Sequence, residues 1–243
     1  MVRIIGHRGA SDDAPENTIS SIKEAFKQGA DGVEVDVRIT KDGKVICMHD
    51  KNTLRTTGSS LDVNKVKYSE LKELDAGSWK SSEWVNEPIP LLEEVLEEVP
   101  EDKEIFIEIK TGLEIIDPLI LLIQNSNIKQ KNISVISFND QVIKNIKLCL
   151  PEITANLLVA FDPSYNEEDL PQLLENIGAD GAGVQNHPKL TKSFVEKINT
   201  LNKNIHVWTV NKGDEAKEYS LLGLSSITTN KPGHIRDYLS ASK

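Results

Sequence analysis

The stretch DGVEVDVRITKDGKVICMHD, residues 31–50, begins with an unusual strand. Three valines alternate in it with Glu34, Asp36 and Arg38, which is the period-two pattern of a β-strand with two different faces. The valines suit a face that packs against helices, so the charged side chains must point to the opposite face. In a barrel, that opposite face is the interior.

The second half of this stretch is predicted to fold back on the first. The sequence KDGK, residues 41–44, is a hairpin signal, because Asp-Gly pairs favour the tight turns between antiparallel strands. If Thr40 opposes Val45 across this hairpin, then Asp36 opposes His49. The hairpin would therefore place His49 beside the two carboxylates.

The rest of the chain alternates short apolar runs with helical patterns. Eight runs are predicted as barrel strands, at residues 3–6, 32–39, 104–110, 133–137, 154–160, 181–185, 205–210 and 225–230. Helical spacings of apolar residues lie between them. This order predicts the α/β class and a TIM (β/α)8 barrel, with a doubly wound open sheet as the alternative. We expect one domain spanning residues 1–243.

One connection is much longer than the others. Residues 51–91 separate the hairpin from the next helical pattern and contain Trp79 and Trp84. A long insert after an early barrel strand often covers the site at the barrel mouth. We therefore expect residues 51–91 to form a small cap over the active site.

Composition limits the partners that the chain can have. The 243 residues are 38% hydrophobic and 27% charged, as in a soluble globular protein, and their net charge is -10. Such a surface disfavours nucleic acid as a partner. The chain shows no leader and no apolar run long enough to span a bilayer, so we expect a cytoplasmic protein without a membrane anchor. The oligomeric state cannot be read from the sequence.

The two cysteines do not suggest a disulfide framework. Cys47 falls within a strand pattern, where a buried free thiol is expected. With Cys149 as the only other cysteine, the chain lacks the dense cysteine spacing of small secreted domains.

Carboxylates recur on the next predicted barrel strand. There isoleucines alternate with Phe106, Glu108 and Lys110. Neighbouring strands would thus aim Glu34, Asp36 and Glu108 into one barrel mouth, where like charges repel each other. A divalent cation such as Mg²⁺, Ca²⁺ or Mn²⁺ would relieve this repulsion, because all-oxygen ligation suits these ions. The alternative is a network of carboxylates with arginine and lysine that holds the barrel together.

Histidines and cations are expected near the same mouth. His7 ends the first predicted strand and is followed by Arg8, whereas His49 ends the hairpin. Imidazole titrates near neutral pH, so one ring can act as a base and the other as an acid. Arg8 and Lys110 can bind a phosphate. This combination of groups suits the cleavage of a phosphate ester.

Four other residues have less distinctive settings. Glu16 lies in APENT, residues 14–18, which resembles a helix start with Asn17 or Thr18 near the cap, and a structural role is favoured for it. Trp208 on the seventh predicted strand can pack within the barrel or against an apolar part of a substrate. We expect His206 in the core and His234 on the surface.

These residues and the motifs around them resemble those of the glycerophosphodiester phosphodiesterases. The resemblance extends over nearly the whole chain. Its single pieces are weakly specific, whereas the ordered set is highly specific. The pieces are GHRGASDDAPENT (6–18), GADGVEVDVRITKDGKVICMHD (29–50), LRTTG (54–58), LKELDAGSW (71–79), IPLLEEVL (89–96), IEIK (107–110), ISF (136–138) and VWTVN (207–211).

The resemblance implies a metal site in a TIM-like barrel whose mouth is covered by a small insert. It implies one divalent cation, Mg²⁺ or Ca²⁺, held by Glu34, Asp36 and Glu108. The insert would lie over the glycerol side of the substrate.

The resemblance also implies roles for the histidines and the cations. His7 and His49 would be the acid/base pair, and Arg8 and Lys110 would contact the phosphate. One departure is Asn230 in TTNKPG, where many relatives carry aspartate. We expect little effect from this difference, because the metal ligands come from other strands.

The expected activity is metal-dependent hydrolysis of a glycerophosphodiester to glycerol 3-phosphate and an alcohol. The nucleophile can be water or the neighbouring glycerol hydroxyl, which would give a cyclic phosphate first. Two alternatives stay open: a lysophospholipase D-like lyase that releases cyclic phosphate, and a non-catalytic barrel that binds phosphodiesters. The presence of every expected site residue argues against the binding protein. The preferred alcohol cannot be read from the sequence.

Overall fold

The computed structural model describes residues 2–161 and 168–241. Its strands are β1 (Arg3–His7), β2 (Gly32–Ile39), β3 (Val45–Cys47), β4 (Glu104–Ile109), β5 (Ile133–Ser137), β6 (Thr154–Val159), β7 (Gly181–Gln185), β8 (Asn204–Trp208) and β9 (Ser226–Thr229). All except β3 run parallel to their neighbours, in the order β1-β2-β4-β5-β6-β7-β8-β9.

The barrel is closed because β1 pairs on both of its edges. Ile5 lies opposite Gly32 of β2 and also opposite Thr228 of β9. An open doubly wound sheet would have two free edges instead. The predicted TIM barrel is therefore confirmed, and the open-sheet alternative is wrong.

Helices surround the barrel and bury its outer face. They are α1 (Ile19–Lys27), α4 (Leu92–Glu98), α5 (Ile116–Asn125), α6 (Asp140–Cys149), α7 (Leu170–Asn176), α8 (Lys192–Asn199), α9 (Gly213–Leu221) and α10 (Pro232–Ala241). Two further short helices, α2 (Leu54–Thr57) and α3 (Tyr68–Leu71), lie within residues 51–91. Val33, Val35 and Val37 are fully buried in this outer layer, as their alternation predicted. In the part of the chain that is described, no helix is long and apolar enough to cross a membrane.

The interior of the barrel has a small apolar layer of its own. Ile5, Phe106, Ile136 and Leu158 pack together there, each from a different strand. His206 is 1% exposed, and its ring centroid lies 5.5 Å from that of Phe106. The prediction of His206 as a core residue is confirmed, and His234 is exposed, as predicted.

The hairpin forms, but its predicted register is wrong by one residue. Val37 pairs with Cys47, and the Met48 N–H donates to the Asp36 carbonyl at 2.9 Å, so Met48 rather than His49 faces Asp36. The turn closes with three residues, because Gly43 adopts a φ of +77° and the Lys44 carbonyl accepts from Thr40. Cys47 is buried and free, as predicted.

The position of β3 brings the end of the hairpin close to the end of β1. On one edge β2 pairs with β4 from Gly32 to Val37. On its other edge it pairs first with β1, up to Glu34, and then with β3 from Val37 onward. The chain leaving β3 therefore runs toward the end of β1, which carries His7.

The insert segment, residues 51–91, contains α2, α3 and two short 3-10 helices. It has a small apolar cluster separate from the main core, in which Val63, Leu71 and Ile89 pack with Ile46 and Met48 of the hairpin. The segment is therefore anchored to the strand that leads to His49.

Candidate active site

Three carboxylates converge inside the barrel where β2 and β4 lie side by side. Asp36 is directly opposite Glu108 in the parallel register, and Glu34 is one strand-step earlier on the same face. One oxygen from each of the three lies within 4.8 Å of the others. All three residues are buried, with exposures of 1% for Glu34, 0% for Asp36 and 7% for Glu108.

The electrostatics of this cluster reflect burial and mutual repulsion. Burial, reinforced by the charges of Asp36 and Glu108, raises the pKa of Glu34 well above its usual range. Burial and the charge of Asp36 raise the pKa of Glu108 to about 7. Burial also opposes ionisation of Asp36, but the charges of Arg8 and Lys110 outweigh it and hold the pKa of Asp36 below the ordinary value.

The donor set fits a divalent cation that prefers oxygen ligands. Glu34 Oε1 is buried and has no hydrogen-bond donor among the described residues, which is costly unless another group compensates it. Mg²⁺ and Ca²⁺ prefer carboxylate oxygens as ligands. Three converging carboxylates, one of which has an unsatisfied oxygen, match that preference. The same set would suit zinc poorly, since no cysteine or histidine belongs to this cluster.

Arg8 lies against the cluster because the chain turns sharply after β1. The φ of Arg8 is +55°, which is a strained conformation for arginine, and the φ of Gly9 is +80°. The turn directs the Arg8 N–H to Glu34 Oε2 at 2.9 Å, and the guanidinium Nε lies 3.0 Å from Asp36 Oδ2. Lys110 directly follows β4, and its Nζ lies 3.2 Å from Asp36 Oδ1. Both predicted cations therefore lie at the carboxylates.

Each predicted histidine has a polar partner on one ring nitrogen. His7 Nδ1 lies 2.6 Å from Asn230 Oδ1, and its Nε2 lies 4.0 Å from Glu34 Oε2. Burial, together with the charge of Arg8, lowers the pKa of His7 to about 4. His49 Nδ1 lies 2.7 Å from Asp50 Oδ1, and hydrogen bonds from Arg55 and His49 overcome burial to lower the pKa of Asp50 to about 2.

An aromatic pair lies at the carboxyl ends of the strands across the barrel. Trp208, the last residue of β8, donates from Nε1 to the Gly183 carbonyl at 3.0 Å and packs on the interior apolar layer. Phe138 follows β5, is 50% exposed, and meets the Trp208 ring edge-on with centroids 5.5 Å apart. Together they offer a partly exposed apolar surface.

Several residues at the site were not predicted from the sequence. Asn17, considered only as a cap, donates to Asp36 Oδ2 at 2.9 Å and accepts from the Asp36 N–H at 3.0 Å, whereas Thr18 is the N-cap of α1. Asn230 contacts His7 directly, so its difference from aspartate bears on a histidine and not on the three clustered carboxylates. Asn17 adopts a φ of +60°, a conformation that Asn tolerates, but nothing in the sequence alone marks its contact with Asp36.

Comparisons with known proteins find relatives along nearly the whole chain. Residues 7–234 match the model of the glycerophosphoryl diester phosphodiesterase family. The chain is 32% identical over 243 residues to a glycerophosphodiester phosphodiesterase of Bacillus altitudinis, covering 96% of both chains. It is 31% identical over 239 residues to one of Caldanaerobacter subterraneus subsp. tengcongensis, covering 94% of both.

A similar solved structure is that of a phosphodiesterase of Oleispira antarctica in complex with the product sn-glycerol-3-phosphate. It is 29% identical to this chain, with a TM-score of 0.89, and the match covers 98% of this chain and 96% of that one. The similarity thus extends over the barrel and the insert segment together.

Proposed function

The chain belongs to the glycerophosphoryl diester phosphodiesterase family, and we propose that it hydrolyses glycerophosphodiesters to glycerol 3-phosphate and an alcohol. The observation that carries this proposal is the meeting of Glu34, Asp36 and Glu108 with Arg8 and Lys110 at one barrel mouth. The product named for the Oleispira antarctica phosphodiesterase supports glycerol 3-phosphate as the product here.

The cofactor in this proposal is one divalent cation, Mg²⁺ or Ca²⁺, held by Glu34, Asp36 and Glu108. When bound, the ion supplies positive charge for the phosphate and compensates the three carboxylates. Without the ion, Arg8 and Lys110 lie against Asp36 and offset its negative charge. With the ion bound, less of their positive charge would be needed for the carboxylates. We infer that these two side chains contact the non-bridging oxygens of the phosphate and stabilise the charge that develops there.

Proton transfer falls to His7 and His49. One imidazole takes a proton from the attacking oxygen as the new P–O bond forms. The other gives a proton to the departing alkoxide as the old P–O bond breaks, so the alcohol leaves neutral. The attacking oxygen is that of water or of the neighbouring glycerol hydroxyl. In the second case a cyclic phosphate forms first and is then opened by water.

The remaining predicted elements would bind and cover the substrate. Trp208, with Phe138 beside it, offers an apolar contact for the carbon skeleton. The insert segment, residues 51–91, contacts the loop after β1, where the Lys80 ammonium donates to the Ser11 carbonyl at 2.8 Å, and the first turn of α1, where the Ser20 hydroxyl donates to Glu87. We propose that this segment covers the site.

Phosphorus NMR of reaction mixtures tests the proposed reaction. Glycerophosphocholine, glycerophosphoethanolamine and a lysophospholipid are each incubated with the protein and Mg²⁺ or Ca²⁺. We expect glycerol 3-phosphate from the first two substrates. Cyclic phosphate as the final product, from the lysophospholipid alone, would instead indicate a lyase. If none of the three compounds is converted, the result would favour the alternative of a non-catalytic barrel that binds phosphodiesters.

A further inference from the structure

We propose that Arg55, on helix α2 of the insert segment, is a positioning residue that fixes both His49 and Arg8. This inference rests on the proposed function for its kinetic test. The guanidinium makes three hydrogen bonds to two carboxylates. Its Nε donates to Asp50 Oδ2 at 2.7 Å, while its two terminal nitrogens donate to Glu16 Oε2 at 2.8 Å and Glu16 Oε1 at 2.7 Å.

The first carboxylate connects Arg55 to His49. Asp50 uses Oδ2 for Arg55 and Oδ1 for His49 Nδ1, at 2.7 Å in both cases. Hydrogen bonds from both partners keep the pKa of Asp50 low, so the carboxylate is ionised and accepts a hydrogen from Nδ1. The His49 ring is thereby held in the form that leaves Nε2 for the substrate.

The second carboxylate connects Arg55 to Arg8. Glu16 lies between the two guanidiniums, since its Oε1 also accepts from Arg8 Nη1 at 2.9 Å. Arg8 in turn lies 3.0 Å from Asp36. One chain of contacts therefore runs from His49 through Asp50, Arg55, Glu16 and Arg8 to Asp36. The sequence favours a structural role for Glu16, and in this proposal that role is to link the guanidiniums of Arg8 and Arg55.

Arginine is specifically suited to this position. A guanidinium is planar and presents its donors in a fixed fork, so it can bind one carboxylate with two nitrogens and another with the third. A lysine ammonium supplies the charge but cannot hold both carboxylates at fixed angles. Because the Glu16 side chain is only 12% exposed, this end of the contact is better shielded from solvent than an ordinary surface ion pair.

The local fold of the insert segment keeps Arg55 in place. Helix α2 is a single turn that ends at Thr57 and is followed by the capping residue Gly58, whose φ is +73°. Thr56 on this turn is buried and its hydroxyl lies 3.8 Å from Met48 Sδ, next to His49 in the chain. The Thr53 N–H donates to the Leu61 carbonyl at 3.0 Å. The turn that carries Arg55 is therefore fixed on both sides.

The kinetic test compares Arg55→Ala and Arg55→Lys with Lys65→Met. Lys65 lies in the same insert segment and forms an exposed pair with Asp62, so it serves as the matched control. We expect Arg55→Ala to lower kcat/KM on glycerophosphocholine by roughly 10–100-fold, because misplaced catalytic groups lose their orientation. Arg55→Lys should lose less, and Lys65→Met should be unchanged. Added methylguanidinium should restore part of the Arg55→Ala activity, whereas methylammonium should not.

A second measurement does not need substrate. Long-range ¹H–¹⁵N NMR of the His49 ring reports which nitrogen carries the hydrogen. We expect Nδ1–H in the wild type and in Lys65→Met, and a mixture of tautomers in Arg55→Ala. An unchanged His49 tautomer in Arg55→Ala would overturn the proposal even if the wild type hydrolysed no glycerophosphodiester. If the wild type is active, two kinetic results would also overturn the proposal. One is full activity in Arg55→Ala, and the other is a loss of activity that methylguanidinium does not restore.

Discussion

His7 Nδ1 and Asn230 Oδ1 lie 2.6 Å apart, although 223 positions separate the two residues in the sequence. Asn230 directly follows β9, whose pairing with β1 brings the two strand ends together. Its own backbone N–H donates to Asn211 Oδ1 at 2.9 Å, which fixes the loop. With the amide oxygen facing the ring, Nδ1 carries the hydrogen and Nε2 is directed toward Glu34.

Replacement of Asn230 should therefore affect turnover more than fold. We expect Asn230→Leu, which removes the acceptor, to lower kcat by roughly 10-fold or more, since an incorrectly oriented ring transfers protons poorly. Asn230→Asp keeps an oxygen at the same place and should retain most of the activity. Steady-state kinetics and melting temperatures of both variants check this. Equal activity in Asn230→Leu and wild type would show that the contact does not position His7.

The two histidines should be required for turnover but not for folding. His7→Ala and His49→Ala should each reduce kcat by roughly 10²–10⁴-fold, the usual loss when a general acid or base is removed. His234→Ala, at an exposed position, is the matched control and should be fully active. Near-normal turnover in both His7→Ala and His49→Ala would refute their assignment as the acid/base pair.

Removal of a carboxylate should stabilise the metal-free protein while it abolishes metal binding. Glu34→Gln keeps an oxygen for the Arg8 N–H and removes a buried carboxyl whose ionisation is opposed by burial and by the charges of Asp36 and Glu108. At pH 8 we expect a higher melting temperature without metal, because the unfolded chain ionises Glu34 freely whereas the folded state opposes its ionisation, a cost that glutamine does not have. The wild type should gain stability on addition of Mg²⁺ or Ca²⁺, since the ion binds only the folded state.

Glu97→Gln, at an exposed position on α4, is the control for that experiment and should behave like the wild type. Thermal scans with and without metal give both results at once. A lower melting temperature of metal-free Glu34→Gln, or an unchanged response of this variant to the ion, would contradict the metal site.

His206 should make the protein sensitive to acid. Burial lowers the pKa of His206 from 6.5 to about 3. Between these pH values the ring is protonated in the unfolded chain but stays neutral in the folded chain. The stability contribution is complete above pH 6.5 and is lost as the pH falls from 6.5 toward 3. The slope reaches about 1.4 kcal/mol per pH unit within this window.

His206→Leu should remove this acid sensitivity, because leucine does not titrate and is similar in size. Urea unfolding at intervals between pH 7 and pH 4 compares the two proteins. The free energy of unfolding of the variant should fall less steeply with decreasing pH than that of the wild type. Parallel pH profiles would mean that His206 does not contribute.

The barrel could be predicted because short apolar runs alternate with helical patterns along the chain, and its acidic interior because two of those runs are two-faced. Valines and isoleucines on β2 and β4 mark the outer face, so Glu34, Asp36 and Glu108 could be assigned to the interior from alternation alone. The parallel register then brings Asp36 opposite Glu108. The acidic cluster follows from these two facts.

Other features depend on details that alternation does not contain. The register of the hairpin depends on turn length, and the left-handed conformation of Gly43 shortened the turn by one residue and moved His49 away from the position opposite Asp36. Contacts such as Asn230 with His7 or Arg55 with Glu16 join segments far apart in the chain. Such pairs become visible only once the barrel has closed and the insert segment has folded against it.

The most direct test of the central claim is the release of glycerol 3-phosphate from glycerophosphocholine by the purified protein after its metal has been removed. We predict no release in EDTA and full release when Mg²⁺ or Ca²⁺ is restored, with Glu108→Gln inactive under every condition. Release that continues in EDTA at an undiminished rate would contradict the metal-dependent account. Absence of glycerol 3-phosphate with either ion would contradict the proposed activity itself.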